Sequence, residues 1–426
     1  MSHFLIEYDR SSTRFRSSPP TLAMNATKNA TEPVSNTSHV MNTYGRMPVT
    51  LARGQGVWVW DEQGRRYLDG LAGIAVNGLG HAHPKLVAAL TDQIGKLIHT
   101  SNIYGVRGQE DLADRICALS GMDEVFFCST GAEANENAIK LARYWGYKHE
   151  RPFIKTLVME RAWHGRTITT LAATDSPKAS KGFGPLQDEC FVRVPFGDFA
   201  AIGRAATDHP EINSVLIEVL QGEGGINLAS SEYLQGLRHW CDSHDWLLIV
   251  DEVQCGIART GKWFGFQHSG IEPDALVLAK GLGSGLPVGA LATRGKLKGL
   301  FGPGNLGTTF GGNPLAMRAG VCTIDTIIED KLMQNAEIIG QHIRNRFAKT
   351  LAGLSGVKDI RGLGLMIGIE LDRPCSAIAT HALEAGLLIN VTRDNVVRLL
   401  PPLIMSREEA DHLVDGLSPI IRQFLV

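Results

Sequence analysis

The chain lacks an excess of charge of either sign: 42 Lys and Arg against 44 Asp and Glu leave a formal net charge of −2. A chain so balanced has no basic surplus to grip nucleic acid. It also lacks long apolar runs, and none approaches the roughly eighteen residues of a membrane span. Its seven cysteines are scattered, odd in number and without a CxxC pair, which excludes a simple disulfide framework. They are expected as buried thiols in a reducing compartment, the cytoplasm. No internal repeat is visible. Apolar residues are sparse in residues 1–40, where Ser, Thr, Asn, Pro and Ala dominate, and this stretch is expected to be disordered. Arg10, Arg14 and Arg16 among serines suggest a transit peptide, but Glu7, Asp9 and Glu32 oppose it. Without a secretory apolar core, the sequons at Asn25, Asn29 and Asn36 are not expected to carry glycans, and Met24 or Met41 is an alternative initiator.

What is present is an ordinary globular composition, 44% hydrophobic and 20% charged over 426 residues, enough for one large α/β domain with appendages. Residues 49–67 read as a β-hairpin turning at Glu62-Gln63-Gly64. Residues 84–98 carry helical periodicity. Between about 105 and 310, apolar strands at 125–128, 154–159, 214–219, 246–251, 275–279 and 288–293 alternate with helical stretches, the pattern of a mainly parallel sheet flanked by helices. After Asn313-Pro314 a long helical stretch is expected to about 350. Strands near 366, 388 and 397 and a last helix complete a smaller α+β part.

Three features carry chemistry. The apolar run 275–279 ends in Lys280 and then glycines. Desolvation at a strand end lowers an amine's pKa and makes it a nucleophile able to condense with a carbonyl, although a lysine snorkelling to water is the commoner reading of such a position alone. The apolar run before Asp251-Glu252 ends in carboxylates. Strand ends of open α/β sheets share one crevice, so an acid and a lysine would face each other there. Pyridoxal phosphate needs that pair, an amine for its aldehyde and a carboxylate for its ring nitrogen. Third, the strand 125–128 leads through Ser129 into a helix that opens with Thr130-Gly131-Ala132. Free N–H groups at a helix N-terminus bind phosphate. Glu133, three residues after Thr130, also fits a capping box, so capping alone explains this segment equally well.

With these features the chain resembles the class III, ornithine-type, pyridoxal-phosphate aminotransferases, most closely their acetylornithine-type members. The resemblance runs in order along nearly the whole chain. It covers Tyr44-Gly45-Arg46-Met47-Pro48-Val49, Gly73-Ile74-Ala75-Val76-Asn77-Gly78-Leu79-Gly80-His81-Ala82-His83-Pro84 and Ser129-Thr130-Gly131-Ala132-Glu133-Ala134. It continues through Trp163-His164-Gly165-Arg166-Thr167, Gln221-Gly222-Glu223-Gly224-Gly225, Asp251-Glu252-Val253-Gln254 and Lys280-Gly281-Leu282-Gly283. It ends with Gly307-Thr308-Thr309-Phe310-Gly311-Gly312-Asn313-Pro314 and Arg398-Leu399-Leu400-Pro401-Pro402.

The resemblance implies fold type I. A large domain (105–312) with a mainly parallel seven-stranded sheet would bind the cofactor. A smaller α+β domain would comprise 313–426, with a contribution from 41–104. It implies a transaminase using N-acetylornithine and 2-oxoglutarate or glutamate, in a homodimer. Lys280 would link to the cofactor and move the proton, and Asp251 would pair with the ring nitrogen. Gln254 would reach the ring oxygen O3′ and Trp163 would stack on the ring. Thr130, Gly131 and Ala132 would cradle the phosphate, with Thr309 contacting the phosphate of the partner subunit's cofactor. Arg166 would grip the donor's carboxylate, Arg398 would take the α-carboxylate of glutamate, and Glu223 would pair with Arg398 when the other substrate is bound. Tyr44 and Thr308 would also touch substrate. Ile74 stands where ornithine-specific members carry tyrosine, which disfavours free ornithine and leaves succinylornithine, succinyl-diaminopimelate and 4-aminobutyrate as alternative donors to N-acetylornithine. Leu306 and Ile257-Ala258 depart from the family pattern.

Other motifs compete less well. Gly256 to Lys262 spell GxxxxGK after the acidic strand, as in a P-loop nucleotidase, but Trp263 stands where the Mg²⁺-binding hydroxyl belongs. His81 and His83 form an HxH pair better read as a turn before Pro84, and His164 has no ligand partner at metal spacing. No metal is expected.

Overall fold

The computed structural model describes residues 39–151 and 153–426. The expectations for residues 1–38 lie outside the described residues. Contacts divide the chain into Met1–Pro48 and a large unit, Val49–Val426. In the first, Tyr44 is exposed and its carbonyl accepts the Arg46 amide. Among the described residues every helix and strand lies in the large unit.

Its centre is a seven-stranded sheet in the order Glu124–Cys128, Gly289–Thr293, Ala275–Leu278, Leu247–Asp251, Ile212–Ile217, Lys155–Met159, Phe191–Val194. Only Gly289–Thr293 runs antiparallel to its neighbours. Four of these strands are buried along their whole length, which is why they read as unbroken apolar runs. Six strands match the expected segments. The seventh, Phe191–Val194, lies at the edge and carries Arg193, so its apolar signal is interrupted.

The helix Gly131–Lys148 begins at the carboxyl end of Glu124–Cys128. Thr130 Oγ1 accepts the Glu133 amide at 3.1 Å, but Glu133 reaches back to the Ser129 amide (2.9 Å) rather than to Thr130, so the expected capping box is displaced by one residue. The N-terminal hairpin pairs Trp58–Asp61 with Arg66–Asp69, and Leu51–Gln55 adds a third strand. Asp61 shapes its turn by accepting the Gln63 and Arg65 amides. Leu387–Leu388 pairs parallel with Arg66–Asp69, which supports the proposal that the N-terminal segment and the C-terminal region build one smaller part.

The expected long helix after Asn313 is two, Pro314–Glu329 and Leu332–Thr350, broken where Lys331 takes a φ of 53°. Four antiparallel strands follow in the order Val357–Leu363, Met366–Leu371, Val396–Leu399, Asn390–Thr392, and the helix Arg407–Leu425 closes the chain. The first of these strands, with Arg361 and two other polar residues, was not legible as one.

Two glycines test this packing with opposite signs. A Cβ on Gly340 would collide with the backbone of Gly364, whereas one on Gly203 would meet only the Trp240 ring at 3.6 Å. Gly340→Ala is expected to lower stability by about 1–3 kcal/mol. Gly203→Ala, inside the helix Phe199–Asp208, is expected to raise it by roughly 0.5–1 kcal/mol. Urea unfolding of both variants measures the difference, and a shift of the same sign in both contradicts the packing.

Candidate active site

The carboxyl ends of the parallel strands converge on one cavity of about 420 Å³. Ser129 follows the first strand, Glu218 follows Ile212–Ile217, Asp251 ends its own strand, and Lys280 follows Ala275–Leu278. The antiparallel strand enters from the same edge with Pro287 and Val288. Lys280, Asp251, Gln254, Thr130, Gly131, Ala132, Trp163 and Arg166 all line the cavity. Thr309 is exposed and off its wall. Thr308 is off it too, with its hydroxyl accepting the Gly311 amide.

Lys280 opens a short helical turn, Lys280–Gly283, with a left-handed φ of 44° that strains a residue bearing a Cβ. That turn aims the amine at the cavity. Burial pushes its pKa down and Arg398 adds to this, while Glu223 and Asp251 pull it up; the net direction is down. The free amine is therefore more accessible near neutral pH than that of an ordinary lysine.

Asp251 is buried, with 2% of its surface exposed, and three donors meet it. His164 Nδ1 and Asn135 Nδ2 both reach Oδ2, at 2.7 and 2.8 Å, and the Val253 amide reaches Oδ1 at 3.0 Å. Buried carboxylate oxygens require such donors in place of water. His164 had no partner at motif spacing; the fold supplies one 87 residues away in sequence. Asn135 likewise gave no sequence signal beyond its place on the first helix. Glu218, on the wall of the same cavity, accepts the Trp163 and Gly222 amides. Burial pushes its carboxyl up to about 7, although His164 and the two amides pull it down.

Anion-binding geometry is present at the helix start. The first amides of Gly131–Lys148 have no partner within the helix. A Cβ on Gly131 would lie 2.9 Å from Val253, so only glycine lets the backbone come this close. Trp163 lies on the cavity wall and the Arg166 guanidinium sits 4.5 Å above its ring, a cation–π contact.

Beyond Gln254 lies a second charged group. Arg398 is fully buried on the strand Val396–Leu399. Its Nη1 donates to Glu223 at 2.6 Å and to Gln254 Oε1 at 3.2 Å, its Nε donates to Asn390 Oδ1 at 3.1 Å, and its Nη2 has no partner among the described residues. Burial raises the Glu223 pKa, but Arg398, Lys280 and Gln254 together outweigh it and the net direction is down. Gln254, expected on a cofactor oxygen, is thus also tied to Arg398.

The GxxxxGK segment is no phosphate loop. Glu252 accepts the Gly265 and Phe266 amides, and Lys262 turns outward to the Gln267 carbonyl. His81 bonds to Asp69 at 2.8 Å. Among the described residues no cluster of three or more His, Cys, Asp or Glu is placed to hold a metal.

The raised Glu218 pKa has a thermodynamic consequence. The folded state binds this proton up to about pH 7 and the unfolded state only to about 4.5, so the contribution of this group to stability falls as pH rises between those values. Relative to Glu218→Gln, the parent protein is expected to lose roughly 2–3 kcal/mol between pH 5 and pH 8. A pH-independent difference in urea titrations contradicts this.

Comparison with known proteins agrees with the geometry. Residues 40–421 match the family described as aminotransferase class-III. The chain is 55% identical to acetylornithine aminotransferase 1 of Bordetella pertussis over 91% of this chain and 98% of the relative. It is 54% identical to the acetylornithine aminotransferase of Nitrosomonas europaea, again over 91% and 98%. Among solved structures it is similar to the ornithine aminotransferase of Toxoplasma gondii, described with partial occupancy of PLP at its active site. That match has a TM-score of 0.87 and 33% identity over 90% of this chain and 92% of that one. It is similar also to the N-acetylornithine aminotransferase of Stenotrophomonas maltophilia, with a TM-score of 0.78 and 34% identity over 90% and 98%. With a lysine and a buried carboxylate lining one cavity at the strand ends of this sheet, and with these relatives, the chain belongs to the class III aminotransferases.

Proposed function

We propose that the chain transfers the terminal amino group of N-acetylornithine to 2-oxoglutarate, giving N-acetylglutamate semialdehyde and glutamate. The observation that carries this reading is the pairing of one reactive centre, Lys280 with Asp251, with a masked carboxylate receptor, Arg398 with Glu223. Pyridoxal phosphate, when bound, supplies an aldehyde for the amine and an electron-accepting ring. The residues present fit it. The Gly131 and Ala132 amides, with Thr130, suit its phosphate, the Asp251 carboxylate suits its ring nitrogen, Gln254 suits its O3′ and Trp163 suits its face.

Lys280 Nζ would be the base that removes the proton from the carbon bearing the donor's amino group, and the acid that delivers a proton to the carbon that gains the amine in the second half-reaction. Arg166 meets the carboxylate of N-acetylornithine at the cavity mouth. That substrate's reacting amine lies far from its carboxylate, so nothing anionic reaches Arg398, and Glu223 keeps it neutralised. Glutamate reacts at the carbon next to its α-carboxylate. Glu223 then yields Arg398 to that carboxylate, while Arg166 takes the other.

Several finer points belong to the same reading. The enzyme works in the cytoplasm as a homodimer. Thr309, exposed and off the cavity of its own chain, reaches the phosphate in the partner's site, and Thr308 contacts substrate. Exposed Ile103, Tyr104 and Phe310 give such an interface its apolar surface.

Lys280→Ala is expected to abolish transamination in a coupled glutamate assay, and near-normal turnover in that variant contradicts the assignment. Arg166 faces solvent, so its loss should cost less than that of a buried ion pair. Arg166→Ala is expected to raise the KM for N-acetylornithine by about thirty-fold, near 2 kcal/mol, with kcat little changed. Assaying ornithine and 4-aminobutyrate alongside tests the donor: faster turnover of either refutes N-acetylornithine as the substrate.

A further inference from the structure

Arg398 lies on the strand Val396–Leu399, and its direct cross-strand partner is Asn390 on the edge strand Asn390–Thr392. Directly paired residues of an antiparallel ladder project from the same face, so the Asn390 side chain lies beside the guanidinium root, where its Oδ1 accepts Nε–H at 3.1 Å. On the other side Arg398 pairs with Gly368, which has no side chain to offer. The three groups that hold the guanidinium are therefore Asn390 on Nε and Glu223 and Gln254 on Nη1, and Nη2 is left open.

These holders differ in one respect. Glu223 stands between Gly222 and Gly224, in the turn of the small hairpin Leu220–Gln221 and Asn227–Leu228, and its side chain is 29% exposed. Its backbone is pinned, because Thr392 donates its hydroxyl to the Glu223 carbonyl at 2.7 Å. Its carboxylate can swing while its backbone stays. Asn390 is the reverse: fixed in a paired strand, and neutral. Thr392, two residues on along the same strand, holds the other half of the ion pair. One short edge strand thus anchors both the arginine and the backbone of its counter-ion.

We propose that Asn390 is a positioning residue and specificity determinant for the dicarboxylate half-reaction. It aims the guanidinium without neutralising it, so that Glu223 is its only counter-ion among the described residues, and a removable one. An acid at position 390 would be a counter-ion that cannot leave. The proposal rests on the reading that Arg398 receives an α-carboxylate.

The test uses the holoenzyme at pH 8 and glutarate, a dicarboxylate with no amino or keto group to react. Its dissociation constant is measured by calorimetry, beside KM and kcat for 2-oxoglutarate and N-acetylornithine. Asn390→Asp is isosteric and adds only charge. It is expected to weaken glutarate and raise the KM for 2-oxoglutarate by about ten- to a hundred-fold, with the KM for N-acetylornithine within about two-fold. Asn390→Ala, which removes the acceptor without adding charge, is expected to give a smaller loss of about three- to ten-fold, again confined to the dicarboxylates. Unchanged glutarate binding in Asn390→Asp, or equal losses for both substrates, overturns the proposal. Arg398→Gln separates the underlying reading. If that variant binds glutarate as the parent does, Arg398 is not the receptor. If it loses glutarate while Asn390→Asp does not, only the role of Asn390 falls.

Discussion

The guanidinium of Arg398 is fully buried, and among the described residues the only carboxylate that touches it is Glu223. A buried charge demands an anion, and removing one partner of such a pair is strongly unfavourable. Any motion of Glu223 therefore requires another carboxylate to arrive at Arg398. That constraint ties the chemistry of the site to the identity of the substrate. A dicarboxylate brings its own anion to the arginine. A substrate whose reacting amine is remote from its carboxylate brings none and leaves the ion pair closed.

The rest of the structure serves this exchange and the reactive centre beside it. The large sheet delivers Lys280 and Asp251 from the carboxyl ends of neighbouring strands, and the small antiparallel sheet delivers Arg398. Gln254 joins the two, following the Asp251 strand while its amide oxygen meets Arg398. Asp251 itself is held on Oδ2 by two side chains, His164 and Asn135, which fix the direction it presents to the cavity. The electrostatics of the two centres overlap, since Glu223 and Arg398 also act on the amine of Lys280 with opposite signs.

Much of this was legible in the sequence because strands buried on both faces write unbroken apolar runs, and two of those runs end in the lysine and the carboxylate of the site. Lys280 and Asp251 were found that way. Elements with mixed faces were not. Phe191–Val194 is interrupted by Arg193, and the break at Lys331 carries neither Gly nor Pro. Asn135 and His164 were invisible because their significance lies in contacts to Asp251 over 116 and 87 residues of chain. The pairing of Glu223 with Arg398 came from family resemblance, and the structure adds what holds it: Asn390 and Thr392, ordinary residues of a three-residue strand.

The removable counter-ion is the central claim, and Glu223→Gln addresses it most directly. The amide keeps the size of the side chain and takes away its charge, leaving Arg398 open to carboxylates at all times. Single-turnover reaction of the holoenzyme with each amino donor, followed by the change in cofactor absorbance, measures the two half-reactions separately. The preference for N-acetylornithine over glutamate is expected to fall by about ten-fold or more, with glutamate binding more tightly. Equal changes for the two donors would contradict a switch at Arg398.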